Sequence, residues 1–509
     1  MLNSDTATRP DSVAEITTEL AALRQKVDSL AEQIELQGNI QVEIAKLLQT
    51  LQSQQKYLPR LVEQIIEKTL GEKAKQGSSI SNEFIGKLAD DIVGINQHLH
   101  AIKQVSNLTL RKIPSTESKI RCVFIVQSIP MWDALADVYM EMVKDERFHP
   151  MIVSINHSHL GRAEFSGEDI VHNWLENQGI PHIRLDVQSL EALDILRNLM
   201  PDVVFRQQQW DIPVPPGLRT SEITFARICV VPYGMGVLAN PDAKDSSDEA
   251  YANNYDQIYH RSAWKVFCET KITQSYYRSF QHSDPDKFVL SGYSKFDKLR
   301  QYKGKGVWPL GESGARSFRV IWAPHFSLAI QNQGFGVFHK IYREMLDWAR
   351  SDESIQFVFK PHPAFEYAVR TTRPATGVDY DDFISKWTSL PNCGLCEGNY
   401  GELFASSDLM ITDGVSFLTE YHIFEKPLIF IDSCCHAPFN ELGRISEKCA
   451  DRVTTFDQLK SAALEYRSGK PFMFENERAY LLSLIFPRDE PAAQVILNTI
   501  ASDIYPLRS

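Results

Sequence analysis

The amino-acid sequence predicts an α/β protein of two doubly wound lobes, each built on a parallel β-sheet, with an α-helical coiled coil in front of them. From residue 120 onward, short apolar runs alternate with amphipathic helical segments, the order typical of parallel sheets covered by helices. A stretch rich in glycine and lysine at residues 301–317 divides this alternation and predicts an interlobe linker. A heptad repeat comes before the first strand. At 509 residues the chain is long enough for two or three domains.

Residues 1–59 carry the heptad repeat. Its apolar positions alternate between spacings of three and four residues, as in the seam of a coiled coil: Val13, Ile16, Leu20, Leu23, Val27, Leu30 and Ile34. Pro59 ends or kinks this helix, and residues 60–118 predict a further helical region and a linker. We expect residues 1–59 to form a homo-oligomer, with an amphipathic helix packed on its own protein as the alternative.

Composition and charge exclude several classes of protein. The chain has 53 lysine and arginine residues against 65 aspartate and glutamate residues, a net charge of -12, which argues against a nucleic-acid partner. No run of about 18 apolar residues predicts a membrane span, and the polar N-terminus does not resemble a secretory signal. The eight cysteines lack the spacing of a secreted disulfide scaffold. These features predict a cytoplasmic protein.

The sequence predicts no metal site. Cys393 and Cys396 form a lone CxxC motif, and a zinc site would need two more ligands at matching spacing. Cys434, Cys435 and His436 do not supply a recognised second half.

The first lobe is predicted to span residues 119–300. Its apolar runs predict strands at 122–126, 151–155, 182–185, 203–205, 228–231, 264–269 and 288–291. Gln127 and Ser128 follow the first of these strands, and Tyr233 and Gly234 follow the fifth. Because ligands bind at the carboxyl ends of parallel strands, we expect these four residues to contact a substrate.

The second lobe is predicted to span residues 318–509, with strands at 319–325, 356–360, 409–411 and 428–431. Lys360, Pro361 and His362 follow an apolar run, which puts them at the carboxyl end of a strand. An imidazolium at His362 would pair with a phosphate, and Lys360 would add a second cation on the same side. A solvated loop histidine is the alternative.

Residues 406–432 read as a strand, a turn, a helix and a second strand. The turn contains Asp413, Gly414, Val415 and Ser416, followed by a predicted helix at 417–424. Backbone N–H groups at a helix start make an anion site, which for a sugar-transfer enzyme would hold a nucleotide diphosphate. Glu420, one helical turn further on, would accept a hydrogen bond from a sugar hydroxyl or lie on a solvated helix face.

Four segments in this order resemble motifs of the CDP-glycerol glycerophosphotransferases of the teichoic-acid polymerase type. They are residues 289–297 (VLSGYSKFD), 321–327 (IWAPHFS), 360–363 (KPHP) and 408–421 (DLMITDGVSFLTEY). The His-Pro motif is shared with capsule sugar transferases and bacterial polysialyltransferases, and the resemblance covers roughly residues 232–432.

The resemblance implies a GT-B-like architecture of two Rossmann-type lobes, with the acceptor in the first lobe and the nucleotide in the second. It implies a transferase that moves a sugar or polyol phosphate from a CDP-, CMP- or UDP-linked donor to a cell-surface glycan, with no obligatory cofactor or metal. Such an enzyme would work in the cytoplasm, and peripheral association with the inner face of the cell membrane fits that role. The donor contacts that it implies are Lys360, Pro361, Asp413, Gly414, Val415, Ser416 and Glu420.

The chain departs from the family in two places. Gly414 and Val415 replace an aromatic residue and a serine, so that Val415 would contact a diphosphate through its main chain only. Tyr233 stands where the family has a histidine that resembles a catalytic base, and a phenol with a pKa near 10 is a poor base at neutral pH. The catalytic candidates are therefore His362, His325 and Tyr233, and His325 is the base that we favour over Asp133 and His157.

Two other functions remain open at this point. Nucleotide-sugar 2-epimerases share the two-lobe fold and a Ser/Gly-rich turn before a helix of the second lobe, although their Asp-Ser-Gly-Gly sequence is absent here. A catalytically inactive scaffold that only binds nucleotide would explain the missing histidine of the first lobe.

Overall fold

The computed structural model describes residues 119–158, 164–187, 189–234, 254–311, 316–328, 333–398 and 400–505. The coiled coil predicted for residues 1–59 and the helical region predicted for 60–118 lie outside the described residues. No helix of the described part is both long and apolar enough to cross a bilayer.

The first lobe contains a parallel sheet of seven strands in the order β3-β2-β1-β4-β5-β6-β7. The strands are β1 (Ile120–Val126), β2 (Phe148–Ile155), β3 (Ile183–Leu185), β4 (Val203–Arg206), β5 (Arg227–Val230), β6 (Lys265–Cys268) and β7 (Phe288–Leu290). All seven strands predicted from the apolar runs are present, with ends that differ by a few residues. Every pair of neighbours is parallel, so that all carboxyl ends meet at one edge of the sheet.

Among the described residues, six helices connect or cover these strands: α1 (Asp133–Lys144), α2 (Glu168–Asn177), α3 (Ser189–Asn198), α4 (Ile258–Ser262), α5 (Lys271–Ser279) and α6 (Ser294–Gln301). Thr270 begins α5 by accepting the N–H of Thr273 at its side-chain oxygen, as an N-cap residue does. The residue before this cap, Glu269, is therefore held at the carboxyl end of β6.

The second lobe contains a parallel sheet of six strands in the order β10-β9-β8-β11-β12-β13. The strands are β8 (Phe318–Ala323), β9 (Ile355–Phe359), β10 (Cys393–Leu395), β11 (Leu409–Thr412), β12 (Leu428–Ile431) and β13 (Asp451–Val453). The sequence did not predict β10 and β13, because Gly394 interrupts the first and Asp451 and Arg452 make the second polar, so neither presents an apolar run. The four central strands follow the predicted runs.

Its helices are α7 (Phe338–Ser351), α8 (Phe365–Thr376), α9 (Tyr380–Thr388), α10 (Gly401–Ser406), α11 (Phe417–Glu420), α12 (Glu441–Glu447), α13 (Phe456–Arg467), α14 (Glu475–Ile485) and α15 (Ala492–Ile504). The helix predicted at 417–424 is split, since α11 covers four residues and a 3-10 turn, Tyr421–Phe424, follows it.

The last helix, α15, packs on the first lobe, although the sequence boundaries assigned all of residues 318–509 to the second. Ile496, Leu497 and Ile500 lie in the same buried cluster as Phe124 of β1 and Phe205 of β4. An amphipathic pattern shows that a helix has one buried face, but it does not show which sheet that face covers. The helix thus belongs to the second lobe in the predicted boundaries but packs on the first lobe in the structure.

A shared apolar core joins the two lobes. Tyr293 and Phe296 of the first lobe belong to the same buried cluster as Ile321, Leu418 and Tyr421 of the second. Tyr293 and Phe296 lie at the start of α6. This helix therefore brings the carboxyl edge of the first sheet against the second lobe.

Candidate active site

Two predicted histidines meet at the carboxyl edge of the second sheet. His325 follows β8 and His362 follows the neighbouring strand β9, and their ring centroids lie 5.4 Å apart with the rings nearly edge-on. The ring of Phe326 lies 4.5 Å from that of His325 and 4.6 Å from that of His362. Residues 37 positions apart in the chain (362 - 325) are thereby brought into one cluster.

Both histidines carry their proton on Nε2. His325 Nδ1 accepts from the N–H of Ser327 at 3.3 Å and lies 2.7 Å from its hydroxyl oxygen. His362 Nδ1 accepts from the N–H of Ala364 at 3.0 Å. Because an imidazole nitrogen that accepts a hydrogen bond cannot also hold the proton, the neutral rings are Nε2–H tautomers. Each ring therefore offers a hydrogen-bond donor at Nε2.

The surroundings keep both rings neutral. Burial, with a smaller contribution from His362, lowers the pKa of His325 to about 3. Loss of hydration, together with the ammonium groups of Lys360 and Lys295, lowers the pKa of His362 to about 4. The imidazolium predicted at His362 concerns the ring beside a bound phosphate and stays a prediction, since His362 is exposed in this structure. The base predicted at His325 also stays a prediction.

Asp413 supports the loop that carries His325. Its carboxylate is buried, with Oδ1 accepting the N–H of His325 at 2.5 Å and Oδ2 accepting the N–H of Val337 at 2.7 Å. Burial raises the pKa of Asp413 to about 7, and the two N–H groups oppose this rise. Both oxygens are occupied, so the structure places Asp413 as a positioning residue instead of the donor contact predicted from the sequence.

Asp413→Ala is expected to lower the free energy of unfolding by about 3–5 kcal/mol, because it leaves two buried N–H groups without an acceptor. Chemical denaturation of the variant and of the parent measures the difference. Asp347→Ala is the matched control, since Asp347 pairs with Arg350 at the surface and such pairs contribute about 0–1 kcal/mol. Equal denaturation midpoints for Asp413→Ala and the parent would contradict the supporting role.

In the turn after β11, some of the backbone N–H groups predicted to bind an anion are available and one is not. The N–H of Gly414 donates to Thr412 Oγ1 at 2.9 Å and is not available to a ligand. Within the described part of the chain, the N–H groups of Val415, Ser416 and Phe417 have no acceptor. Because α11 has only four residues, these free N–H groups, and not a long helix dipole, make this turn suitable for an anion.

A buried charge cluster lies next to His362. Lys360 is buried, and its Nζ atom lies 5.8 Å from the ring centroid of Tyr400. Lys295 of the first lobe lies over the same tyrosine ring, with its Nζ atom 5.4 Å from the centroid. Burial lowers the pKa of Lys360. Pro361, also buried, accepts from Lys360 Nζ at 3.4 Å through its carbonyl oxygen.

Glu420 connects the two lobes. Its Oε1 accepts from Lys295 Nζ at 2.9 Å, and its Oε2 accepts from the hydroxyl of Tyr400 at 2.5 Å. The side chain is buried, so it does not lie on a solvated face and that alternative is wrong. The contact with a sugar hydroxyl stays a prediction. The lysine partner lies 125 residues away in the chain, so the sequence did not indicate this ion pair.

Two of the first-lobe candidates, Gln127 and Ser128, lie at the carboxyl end of β1. The N–H groups of Gln127 and Ser128 donate to Gln207 Oε1 at 2.7 and 2.9 Å, which ties β1 to the end of β4. The Nε2 group of Gln127 is buried and has no acceptor among the described residues. Gly234 is the last residue described before residues 235–253.

Tyr233 does not provide a base. Its ring lies 6.2 Å from that of Trp210, and burial raises the pKa of the phenol above its usual value of 10.0. A higher pKa makes proton removal by this residue harder, which agrees with the sequence argument that this phenol is a poor base; a catalytic role of Tyr233 stays a prediction.

Glu269 and Tyr293 were missed by the sequence analysis. Glu269 follows β6, is 2% exposed, and has Oε2 without a partner among the described residues; burial raises its pKa to about 7. The buried hydroxyl of Tyr293 also lacks a partner there and interacts electrostatically with Glu420 and Glu269. A charged residue directly after the apolar run at 266–268 was the signal for Glu269.

The comparisons with known proteins concern the fold. No protein-family model matches the chain, and no curated protein matches it significantly. A candidate UDP-N-acetylglucosamine 2-epimerase from Listeria monocytogenes is similar in structure, with a TM-score of 0.50 at 16% identity over 77% of this chain and 98% of that chain. The UDP-GlcNAc 2-epimerase from Neisseria meningitidis, bound to UDP-GlcNAc, has a TM-score of 0.49 at 14% identity, over 75% of this chain and 100% of that chain.

A variant of the wall teichoic acid polymerase TagF has a TM-score of 0.48 at 14% identity, over 81% of this chain and 98% of that chain. The two parallel sheets and the similarity to the Listeria structure define a GT-B-like fold of two Rossmann-like lobes. The predicted fold class is confirmed for the described lobes.

Proposed function

We propose that this protein is a GT-B-type transferase that moves a sugar or a polyol phosphate from a nucleotide-activated donor to a hydroxyl group of a glycan. The observation that carries the proposal is the collection of free donors at one edge of the second sheet. Two imidazole Nε2–H groups lie there near three backbone N–H groups that have no acceptor among the described residues. A side-chain carbon added at Gly414 would lie 3.7 Å from His325, which puts the turn and this imidazole side by side.

These donors suit a leaving phosphate. When the bond to the donor breaks, negative charge grows on the oxygen that stays with the nucleotide. The N–H groups of Val415, Ser416 and Phe417 and the imidazoles of His325 and His362 would donate to the phosphate oxygens, and Lys360 would add a positive charge. Donors already held in place lose little free energy to reorganisation when that charge appears. The motif resemblance to CDP-glycerol glycerophosphotransferases supports a CDP-, CMP- or UDP-linked donor.

The acceptor hydroxyl needs a base, and Glu269 suits that role. In the proposed step, the acceptor oxygen bonds to the sugar carbon or to the phosphorus of the donor while the bond to the leaving phosphate oxygen breaks. The acceptor proton passes to Glu269 Oε2, the oxygen without a partner. A carboxyl group with a pKa of about 7 is well matched to a proton transfer at neutral pH. Gln127, with its free Nε2 group, would orient the acceptor.

A panel of CDP-, CMP- and UDP-linked sugars and polyols tests this proposal. We expect at least one donor to raise the melting temperature of the full chain, since a ligand that binds only the folded state stabilises it. We also expect the same donor to release its nucleotide faster when glycan acceptors are added. No melting shift with any donor would overturn the proposal. Epimerisation of a UDP-sugar without nucleotide release would identify an epimerase, and stabilisation without turnover would identify a binding scaffold.

A further inference from the structure

Two histidines and a glutamate form a compact cluster outside the candidate active site. His172 and Glu176 stand one helical turn apart on α2, and His182 lies in the turn that enters the edge strand β3. One ligand atom of each residue lies within 4.8 Å of those of the other two. Residues four apart on a helix face the same side, so the first two side chains approach the third together.

The hydrogen bonds of His182 leave its Nε2 unprotonated, as a metal ligand must be. Its Nδ1 lies 2.9 Å from the carbonyl oxygen of Ile180, which can only accept, so Nδ1 carries the proton. Its Nε2 therefore carries a lone pair, which accepts a hydrogen bond from Nδ1 of His172 at 2.8 Å. Metal-binding histidines commonly donate the opposite ring N–H to a backbone carbonyl in this way.

We propose that His172 Nδ1, His182 Nε2 and the Glu176 carboxylate bind a divalent transition-metal ion of the Zn²⁺ class, with water as the fourth ligand. Two histidines and one carboxylate are a ligand set that zinc accepts in tetrahedral geometry. Bond lengths of about 2.0–2.1 Å would require the two nitrogens to move to about 3.4 Å apart. Both histidines are partly exposed, so rotation of their side chains can supply this movement.

The ion would replace the hydrogen bond between the two imidazoles. His172 would then hold its proton on Nε2 and His182 on Nδ1. The metal would link α2 to the turn that begins β3, a strand of three residues at the edge of the sheet. Metal binding to the folded state alone would stabilise this edge of the first lobe.

Zinc titration of the full chain tests the proposal, in a Cys434→Ser/Cys435→Ser background that removes two exposed thiols. We expect ZnCl₂ to raise the melting temperature and Co²⁺ to give a tetrahedral visible spectrum without a thiolate band. Glu176→Gln and His182→Ala should each weaken Zn²⁺ binding at least tenfold in calorimetry. His149→Ala, which removes an exposed histidine at the start of β2, should leave the affinity unchanged.

Equal Zn²⁺ affinity in the background protein and in Glu176→Gln would overturn the proposal, and so would the absence of any zinc-dependent melting shift. In either case the two histidines would be only a hydrogen-bonded pair. Glu176 is exposed, so its glutamine variant should fold even where His182→Ala does not. None of these measurements depends on transferase activity.

Discussion

Glu269→Gln is expected to lower kcat by about 10²–10⁴-fold, the contribution usual for a general base. Glutamine keeps the size of the side chain and can still bond to Thr273, but it cannot take a proton from the acceptor. Turnover of the donor that is identified in the panel, measured with acceptor present, gives the effect. Glu191→Gln, which changes an exposed carboxylate on the surface of the same lobe, is the control and should leave kcat unchanged.

The pH dependence gives a second readout of the same residue. A base must be ionised to act, so kcat/KM of the parent should fall as pH drops below about 7, and this limb should be absent in Glu269→Gln. Parent-like turnover in the variant, with the limb retained, would contradict the assignment.

Stability should change with pH in the opposite direction. The folded pKa of Glu269 is raised from 4.5 to about 7, so its stability contribution is fully present below 4.5 and is lost as pH rises through about 7. Glu269→Gln should therefore gain stability over the parent at pH 8.5, by about 3 kcal/mol or less, and gain little at pH 5. Melting temperatures at the two pH values measure this.

His362→Ala is expected to lower kcat by about 10²–10³-fold, the effect of removing one donor to a developing oxyanion. His362→Gln should recover part of the loss, because its Nε2 group can donate from nearly the same place as the imidazole Nε2–H. If His362 were instead a base, the glutamine variant would be as inactive as the alanine variant. Donor turnover by the two variants therefore separates the two roles.

The pH profile of the parent adds to this test. Because the pKa of His362 is lowered to about 4, no activity limb near pH 6.5 should belong to this residue. His149→Ala is again a suitable control. Equal kcat for His362→Ala and the parent would remove His362 from the chemistry.

Local pattern accounts for most of the architecture. Apolar runs located all strands of the first sheet and the four central strands of the second, because a buried parallel strand needs apolar residues on both faces. The same reasoning placed Lys360 and His362 at the end of β9 and the turn at residues 413–416 at the end of β11. The edge strands β10 and β13 were not predicted, since Gly394 in the first and the polar pair Asp451 and Arg452 in the second leave no apolar run.

The sequence by itself determined the fold class of the two lobes and the strand ends at which a ligand would bind. Only the tertiary structure decided what the side chains at those ends can do. Asp413 holds two loop N–H groups, Glu420 pairs with a lysine of the other lobe, and Glu269 keeps a free oxygen. The physical reason is that the hydrogen bonds and the pKa of a side chain depend on its burial and on its neighbours in space. Residues far apart in the chain supply that burial and those neighbours.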